Sequence, residues 1–278
     1  MLSASLSVSL AALLPVLLAM LAALPSLLVI AGCIWLLSLY LDKVSIIYYS
    51  WPLLLLAAAA GYLMQALAFN AVHLALIGMV ALWALRRGYF AIKRDRQRPG
   101  DGRYKLLRGK SPKQFWVNSF GLIVVCLSLV AWVGSSNFAI VFLTDVQWSF
   151  LHSIATAVWL FGFIVEVLAD NQLQRFNRLV VKTGPTLKTG LWRYSRHPNY
   201  FGELCMWWAW FLYAIPSGNG FILVAPVLVT GLLIKISAIE LMEKEISPRR
   251  YDYRGYRAST NTLFPWTPRE QVNGELYD

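Results

Sequence analysis

Apolar residues run through this chain in blocks about as long as a bilayer core, which needs roughly 20 residues per helical crossing, and most of the charged residues fall in the gaps. Seven such blocks can be marked, at residues 13–40, 50–68, 70–90, 115–133, 148–170, 200–216 and 219–243. The second and third are expected to form a tight hairpin near Phe69 and Asn70, and the sixth and seventh another at Pro216, Ser217 and Gly218. The uncharged stretch over residues 1–41 contains Pro15 and Pro25, so it suits either one long kinked helix or two short ones. No Lys or Arg precedes it, which argues against a cleaved signal peptide. The pattern predicts an all-α, polytopic integral membrane protein with about seven transmembrane helices. Residues 1–114 carry helices one to three and a basic loop, residues 115–278 carry helices four to seven and their loops, and together they form one continuous membrane domain.

Composition agrees, with 58% hydrophobic residues, a mean hydropathy of +0.55 and 14% charged residues, outside the usual range of a soluble domain. Charge placement then orients the chain. The segments after helices one, three, five and seven, counting Arg86 and Arg87 at the end of the third block with the loop they open, hold 24 of the 25 Lys and Arg residues, and the exception, Lys235, lies inside the seventh block. The positive-inside rule therefore expects the basic loops and the C-terminus in the cytoplasm. Net charge of +11 reflects topology and contact with membrane lipid, and no nucleic-acid partner is expected because the basic residues lie on membrane loops. Cys33, Cys126 and Cys205 sit within apolar blocks without a CxxC pair, and His73, His152 and His197 show no metal-ligand spacing, so no metal is expected.

Chemistry concentrates in the second half. Ionisable residues inside membrane helices are costly unless paired or solvated, which makes each a functional candidate. Glu166 and Asp170 lie four apart near the end of the fifth block and share a helix face. Glu203 falls one turn into the sixth block, and Lys235, Glu240 and Glu243 lie near the end of the seventh, where Glu243 reads as a snorkelling interface residue. Between the fifth and sixth blocks runs GLWRYSRHPNYFGE, residues 190–203. Pro198 fixes φ at a helix start, so Asn199 and the free amides of that first turn would face an anion or polar ligand. Arg193 and Arg196 add guanidinium donors suited to phosphate, while Trp192, Tyr194 and Tyr200 offer ring faces for stacking. The combination suits a nucleotide cofactor.

Residues 196–203, RHPNYFGE, preceded by GLWRY at 190–194, resemble the C-terminal signature of the steroid 5-alpha-reductase superfamily, especially its bacterial branch. Asp170 with Gln172 and Phe176 resembles the same family's motif at the end of the preceding helix, and Tyr253, Tyr256, Thr260, Asn261, Phe264 and Pro265 resemble its closing tail. The resemblance implies NADPH held by the C-terminal helices and their loops, and a bacterial inner membrane as the setting. On it Asp170, Asn199 and Glu203 match cofactor-contacting positions, Tyr194 matches a motif aromatic, and Arg175 and Arg178 lie within two residues of a family arginine. Trp192, Arg196, His197, Tyr200, Glu240 and Tyr256 complete the expected cofactor set. Residues 96–99, RQRP, resemble a segment after helix three, where Arg98 would contribute to phosphate binding. There is no G-x-G-x-x-G turn, which argues against a Rossmann domain, and arginines near the adenosine end favour NADPH over NADH.

The chain departs from that family on the substrate side. It has no Gln-Glu dipeptide, and the helix-three position matching the family's tyrosine is Ala84, beside Trp83. The implied reaction is hydride transfer to the C=C bond of a lipid-soluble enone, steroid-like or isoprenoid, with a hydrogen-bond donor stabilising the enolate. Tyr48 and Tyr49 are the candidate donors, with Tyr62 and Gln65 behind them. The Arg-His-Pro-x-Tyr core is also similar to that of isoprenylcysteine carboxyl methyltransferases, so a membrane methyltransferase using S-adenosylmethionine is the alternative. A transporter would scatter polar residues through the midplane, whereas here they gather at one membrane face.

Overall fold

The computed structural model describes residues 2–41, 46–66, 69–97, 112–179, 184–218, 223–233, 243 and 250–269. Among them every regular element is helical. Among the described residues four helices are long and apolar enough to cross a membrane, over Leu14–Tyr40, Ala71–Lys93, Gln114–Gly134 and Phe150–Leu179, and Ser50–Leu63 is a shorter apolar one. The remaining two expected crossings correspond to a 17-residue helix at Pro198–Ala214 and an eight-residue helix at Val224–Gly231.

The chain divides into two compact units, residues 1–152 with 211–225, and residues 153–210 with 226–278. In the first, α1 (Leu2–Tyr40) is one helix in spite of Pro15 and Pro25. Proline deletes an intrahelical donor, a loss that helices in lipid tolerate where neighbours satisfy the freed groups. Along α1 the exposed leucines Leu14, Leu17, Leu18 and Leu21 alternate with buried Val16, Ala19 and Met20, which separates a lipid-facing side from a packed one. Next come α2 (Ile47–Leu63) and α3 (Ala71–Gln97), packed along each other. The turn between them starts at Met64, five residues before the expected hairpin, and Asn70 closes it. Its Oδ1 accepts the His73 amide at 3.0 Å, capping α3, and its Nδ2 donates to the Val146 carbonyl at 3.2 Å.

The fourth crossing runs through α4 (Pro112–Phe120), a π-helical turn (Gly121–Cys126) and α5 (Leu127–Gly134). Trp35 donates to Ser119 Oγ at 3.1 Å and Trp132 to the Met20 carbonyl at 2.7 Å, fastening this segment to α1. After a turn at Ser135 follows a short helix absent from the expected set, α6 (Ser136–Phe142), every residue of which is buried. It packs against α1, α2 and α3, and Tyr62 reaches Ser135 Oγ at 3.2 Å.

Helix α7 (Phe150–Leu179) leads into the second unit, and α8 (Pro198–Ala214) leads back out of it. Nine residues of α7 extend beyond the expected end at 170, so Asp170, Arg175 and Arg178 ride on one rigid rod and the expected basic loop begins only after Leu179. A 3-10 turn at Gly190–Arg193 precedes α8, and Gly218, at φ 75°, ends the turn that follows it, where the second hairpin is expected. The chain continues in α9 (Val224–Gly231) and in a tail holding α10 (Tyr253–Ser259).

Candidate functional site

Two glycines bring α7 and α8 together. A Cβ at Gly162 would stand 2.6 Å from the Gly202 carbonyl oxygen, and one at Gly202 would stand 2.5 Å from that of Gly162 and 2.8 Å from the Glu166 amide. Only glycine permits so close a backbone approach. The contacts descend α7 as they ascend α8, as an antiparallel pair requires, and carry the polar residues of both helices to one seam. Asn199 Nδ2 donates to Asp170 Oδ1 at 3.2 Å. One turn further along, Glu166 and Glu203 are both buried, and Glu203 Oε1 accepts the Trp207 indole at 3.0 Å. Asn199 Oδ1 is buried and has no hydrogen-bond partner among the described residues. A buried amide oxygen left unsatisfied is unfavourable, which makes it a ready acceptor for a hydroxyl or carboxamide donor.

The loop before α8 is anchored from both sides. Trp192 donates to the Ala169 carbonyl at 3.1 Å and the Leu191 amide to Gln172 Oε1 at 3.0 Å, so the motif residue Gln172 positions the 3-10 turn. Gly190 needs its φ of 63°, and a Cβ there would meet the Gln172 amide at 2.6 Å. From the other side, Ser195 donates to the Leu263 carbonyl at 2.8 Å, the Arg196 amide to Asn261 at 2.9 Å and the Trp266 amide to Tyr194 at 3.0 Å. Tyr256, buried, donates to the backbone of Trp192 and Ser195. Burial pushes the phenols of Tyr253 and Tyr256 up, so both stay neutral donors. Amides of Tyr200 and Phe201 both go to the His197 carbonyl at 3.1 Å, which closes the first turn of α8 on itself and leaves fewer donors there than its start alone suggests.

Glu243 holds the centre of this arrangement. It is buried rather than snorkelling, with Oε1 at 3.0 Å from Arg196 Nε and 3.2 Å from His197 Nε2, and Oε2 at 3.6 Å from Arg257 Nε. Arg196 also donates to the Arg257 carbonyl at 2.8 Å and to Thr262 Oγ1 at 2.6 Å. His197 stacks on Tyr200, 5.5 Å between centroids and 7° between planes. Arg196 and His197 thus join the tail to the seam. Asp252 plays a smaller part nearby. Burial raises its carboxyl, but Lys188 at 2.8 Å and the hydroxyl and amide of Thr186 outweigh that and hold it below the ordinary carboxylate range.

Of the candidate cofactor residues, Asp170, Asn199 and Glu203 line the α7–α8 seam, and Trp192, Arg196, His197, Tyr200 and Tyr256 form the adjoining loop and tail. Tyr194 is exposed beside Trp266, and Arg175 and Arg178 are exposed on the extended end of α7. Arg98 and Glu240 lie outside the described residues, as do the side chains of Tyr48 and Tyr49 at the start of α2. Tyr62 is fully buried against Ser135, and Gln65 is exposed and bonded to the Gly61 carbonyl. Glu243 as the hub was not legible beforehand, because its partners stand 46 and 47 residues earlier and no spacing rule connects them. Among the described residues no group of His, Cys, Asp and Glu is arranged to hold a metal.

Helices fit to cross a bilayer, together with polar residues gathered where one of them, α7, meets α8, define a polytopic helical membrane protein with a built polar site. The chain belongs to the family described as "Protein of unknown function (DUF1295)", whose model matches residues 34–262. It is similar to an uncharacterized protein of Schizosaccharomyces pombe, 23% identical over 264 residues that cover 85% of this chain and 77% of that one. No solved structure matches.

Proposed function

We propose that the chain is a membrane-embedded, NADPH-dependent reductase of a hydrophobic enone, of the steroid 5-alpha-reductase kind, with its basic loops and C-terminus in the cytoplasm. The observation that carries this is Asn199, fixed by Asp170 through its Nδ2 and left with a buried, unpartnered Oδ1 at the seam. An amide in that state suits the hydroxyl and carboxamide donors of a dinucleotide. The tail is bonded to residues 190–197 through Tyr256, Arg196 and Ser195, so the loop that leads into α8 is already ordered, which lowers the ordering cost of binding there.

NADPH, when bound, would supply a hydride to the β-carbon of an activated alkene. The chain's part is to bind and orient the dinucleotide with Asp170, Asn199 and Glu203, and to donate a hydrogen bond to the substrate carbonyl. Tyr48 and Tyr49 are the proposed donors. A lipid-soluble substrate fits a protein whose helices carry apolar flanks such as Leu160, Phe161, Ile164 and Leu168 of α7. Purified protein incubated with NADPH and a panel of steroid and isoprenoid enones should consume the nicotinamide absorbance with at least one of them, and the product should gain two hydrogens at the alkene. Absence of enone-dependent NADPH oxidation across both classes, in protein that binds the cofactor, would refute the reductase assignment.

A further inference from the structure

The tail of the second unit also borders a cleft whose lining includes none of the seam residues Asp170, Asn199 and Glu203. A cleft of about 440 Å³ opens between residues 188–193 and the tail, lined by Lys188, Gly190, Arg193, Tyr256, Ser259 and Thr260 among others. Its balance of charge is positive. Lys188 pairs with Asp252 at 2.8 Å, while Arg193 has no carboxylate within ion-pair distance among the described residues. An exposed guanidinium offers a planar fork matched to phosphate oxygens, and Ser259 and Thr260 line the same opening, the Ser259 hydroxyl donating to the Tyr256 carbonyl at 3.3 Å.

Beside the cleft the same tail exposes large aromatic rings. Phe264 is 68% and Trp266 69% exposed, and the Trp266 amide bonds the carbonyl of Tyr194, itself 41% exposed. Phe264 stands edge-on to Phe201 at 5.9 Å between centroids, and Phe201 to Phe161 at 6.4 Å. Phe161 is exposed on α7, one of the helices fit to span a bilayer. The aromatic row therefore leads from the outer flank of a spanning helix to the tail and sets the tail at the membrane boundary. Rings at that level anchor in the interface, and a basic pocket next to them meets anionic headgroups.

We propose that this cleft seats the phosphate of an anionic phospholipid headgroup, with Arg193 as its main donor and Phe264 and Trp266 set in the interfacial layer. The lipid is favoured over a soluble phosphate by the aromatic row, which a soluble anion would not need. Binding here is independent of the reductase assignment, because it requires neither nicotinamide nor enone.

The test uses full-length protein in a neutral detergent, titrated with phosphatidylglycerol or phosphatidylcholine, with bound lipid counted by native mass spectrometry. Phosphatidylglycerol is expected to bind more tightly, and Arg193→Gln to weaken it about fivefold, the weight of one basic residue at an anionic surface, with phosphatidylcholine binding unchanged. Brominated phosphatidylglycerol should quench tryptophan fluorescence, and less so in Trp266→Phe. Equal affinity for the two lipids, or full retention of the preference in folded Arg193→Gln, would overturn the proposal. So would displacement of the lipid by inorganic phosphate at matching concentration, which would identify a soluble-anion site. If Arg193→Gln does not fold, the quenching comparison decides, and undiminished quenching in Trp266→Phe counts against the site.

Discussion

Replacing Glu243 with alanine is expected to lower the thermal midpoint of the detergent-solubilised protein by about 6 °C or more, following from a loss of about 3–5 kcal/mol when one partner of a buried ion pair is removed. Arg196 and His197 are 8% and 3% exposed, so both would keep their buried positions without the carboxylate that now holds them. Arg257 contributes little to that figure, because its side chain is 67% exposed and water screens the pair. The loss should be local as well as global, since Arg196 ties the loop before α8 to Arg257 and Thr262 in the tail. Trypsin should accordingly cut the variant faster at Arg254 and Arg257. Glu243→Gln, which retains acceptor capacity, should fall between the two. A variant Glu243→Ala that melts with the unaltered protein and resists trypsin equally would show that the hub is incidental.

Gly202→Ala is expected to act on the seam itself. The added methyl would meet backbone atoms, the Gly162 oxygen at 2.5 Å and the Glu166 nitrogen at 2.8 Å, and no flexible side chain is available to swing aside. Overpacking of this sort costs about 1–3 kcal/mol, and here relief requires α7 and α8 to separate, which pulls Asn199 from Asp170. The variant should therefore lose both thermal stability and cofactor affinity, and Gly202→Leu should lose more of each. Gly78→Ala provides the control: a Cβ at Gly78, within α3, meets nothing within 4 Å, so it should be neutral or slightly stabilising, by up to about 1 kcal/mol. Equal behaviour of the two alanine variants in melting and ligand binding would mean that the close crossing carries no weight.

The seam was legible in the sequence because its parts announce themselves locally. Glu166 and Asp170 share a helix face by spacing, and Pro198 marks the helix start that places Asn199 and Glu203 one turn apart. What escaped was whatever depends on distant partners or on the difference between a helix and a membrane crossing. Hydropathy ends the fifth block at 170 because charge begins there, yet Gln172, Leu173, Gln174 and Arg175 are good helix formers and α7 continues to Leu179. The polar run of Gly134, Ser135, Ser136 and Asn137 looks like an exit into water, but Ser135 only turns the chain, and the next seven residues form the buried α6. Two prolines left α1 open to division, whereas the structure carries it through both as one helix. Glu243 gave no signal of its own, since only the fold brings it to Arg196 and His197.

The most direct test of the account is a thermal-shift comparison of NADPH, NADH and S-adenosylmethionine on the purified protein and on Asn199→Ala, because a ligand that binds only the folded state raises the midpoint by mass action. NADPH should raise the midpoint of the unaltered protein most, NADH less and the methyl donor not at all, and Asn199→Ala should lose the NADPH response while remaining folded. Stabilisation by S-adenosylmethionine alone, or an NADPH shift undiminished in Asn199→Ala, would contradict the assignment of the α7–α8 seam as a dinucleotide site.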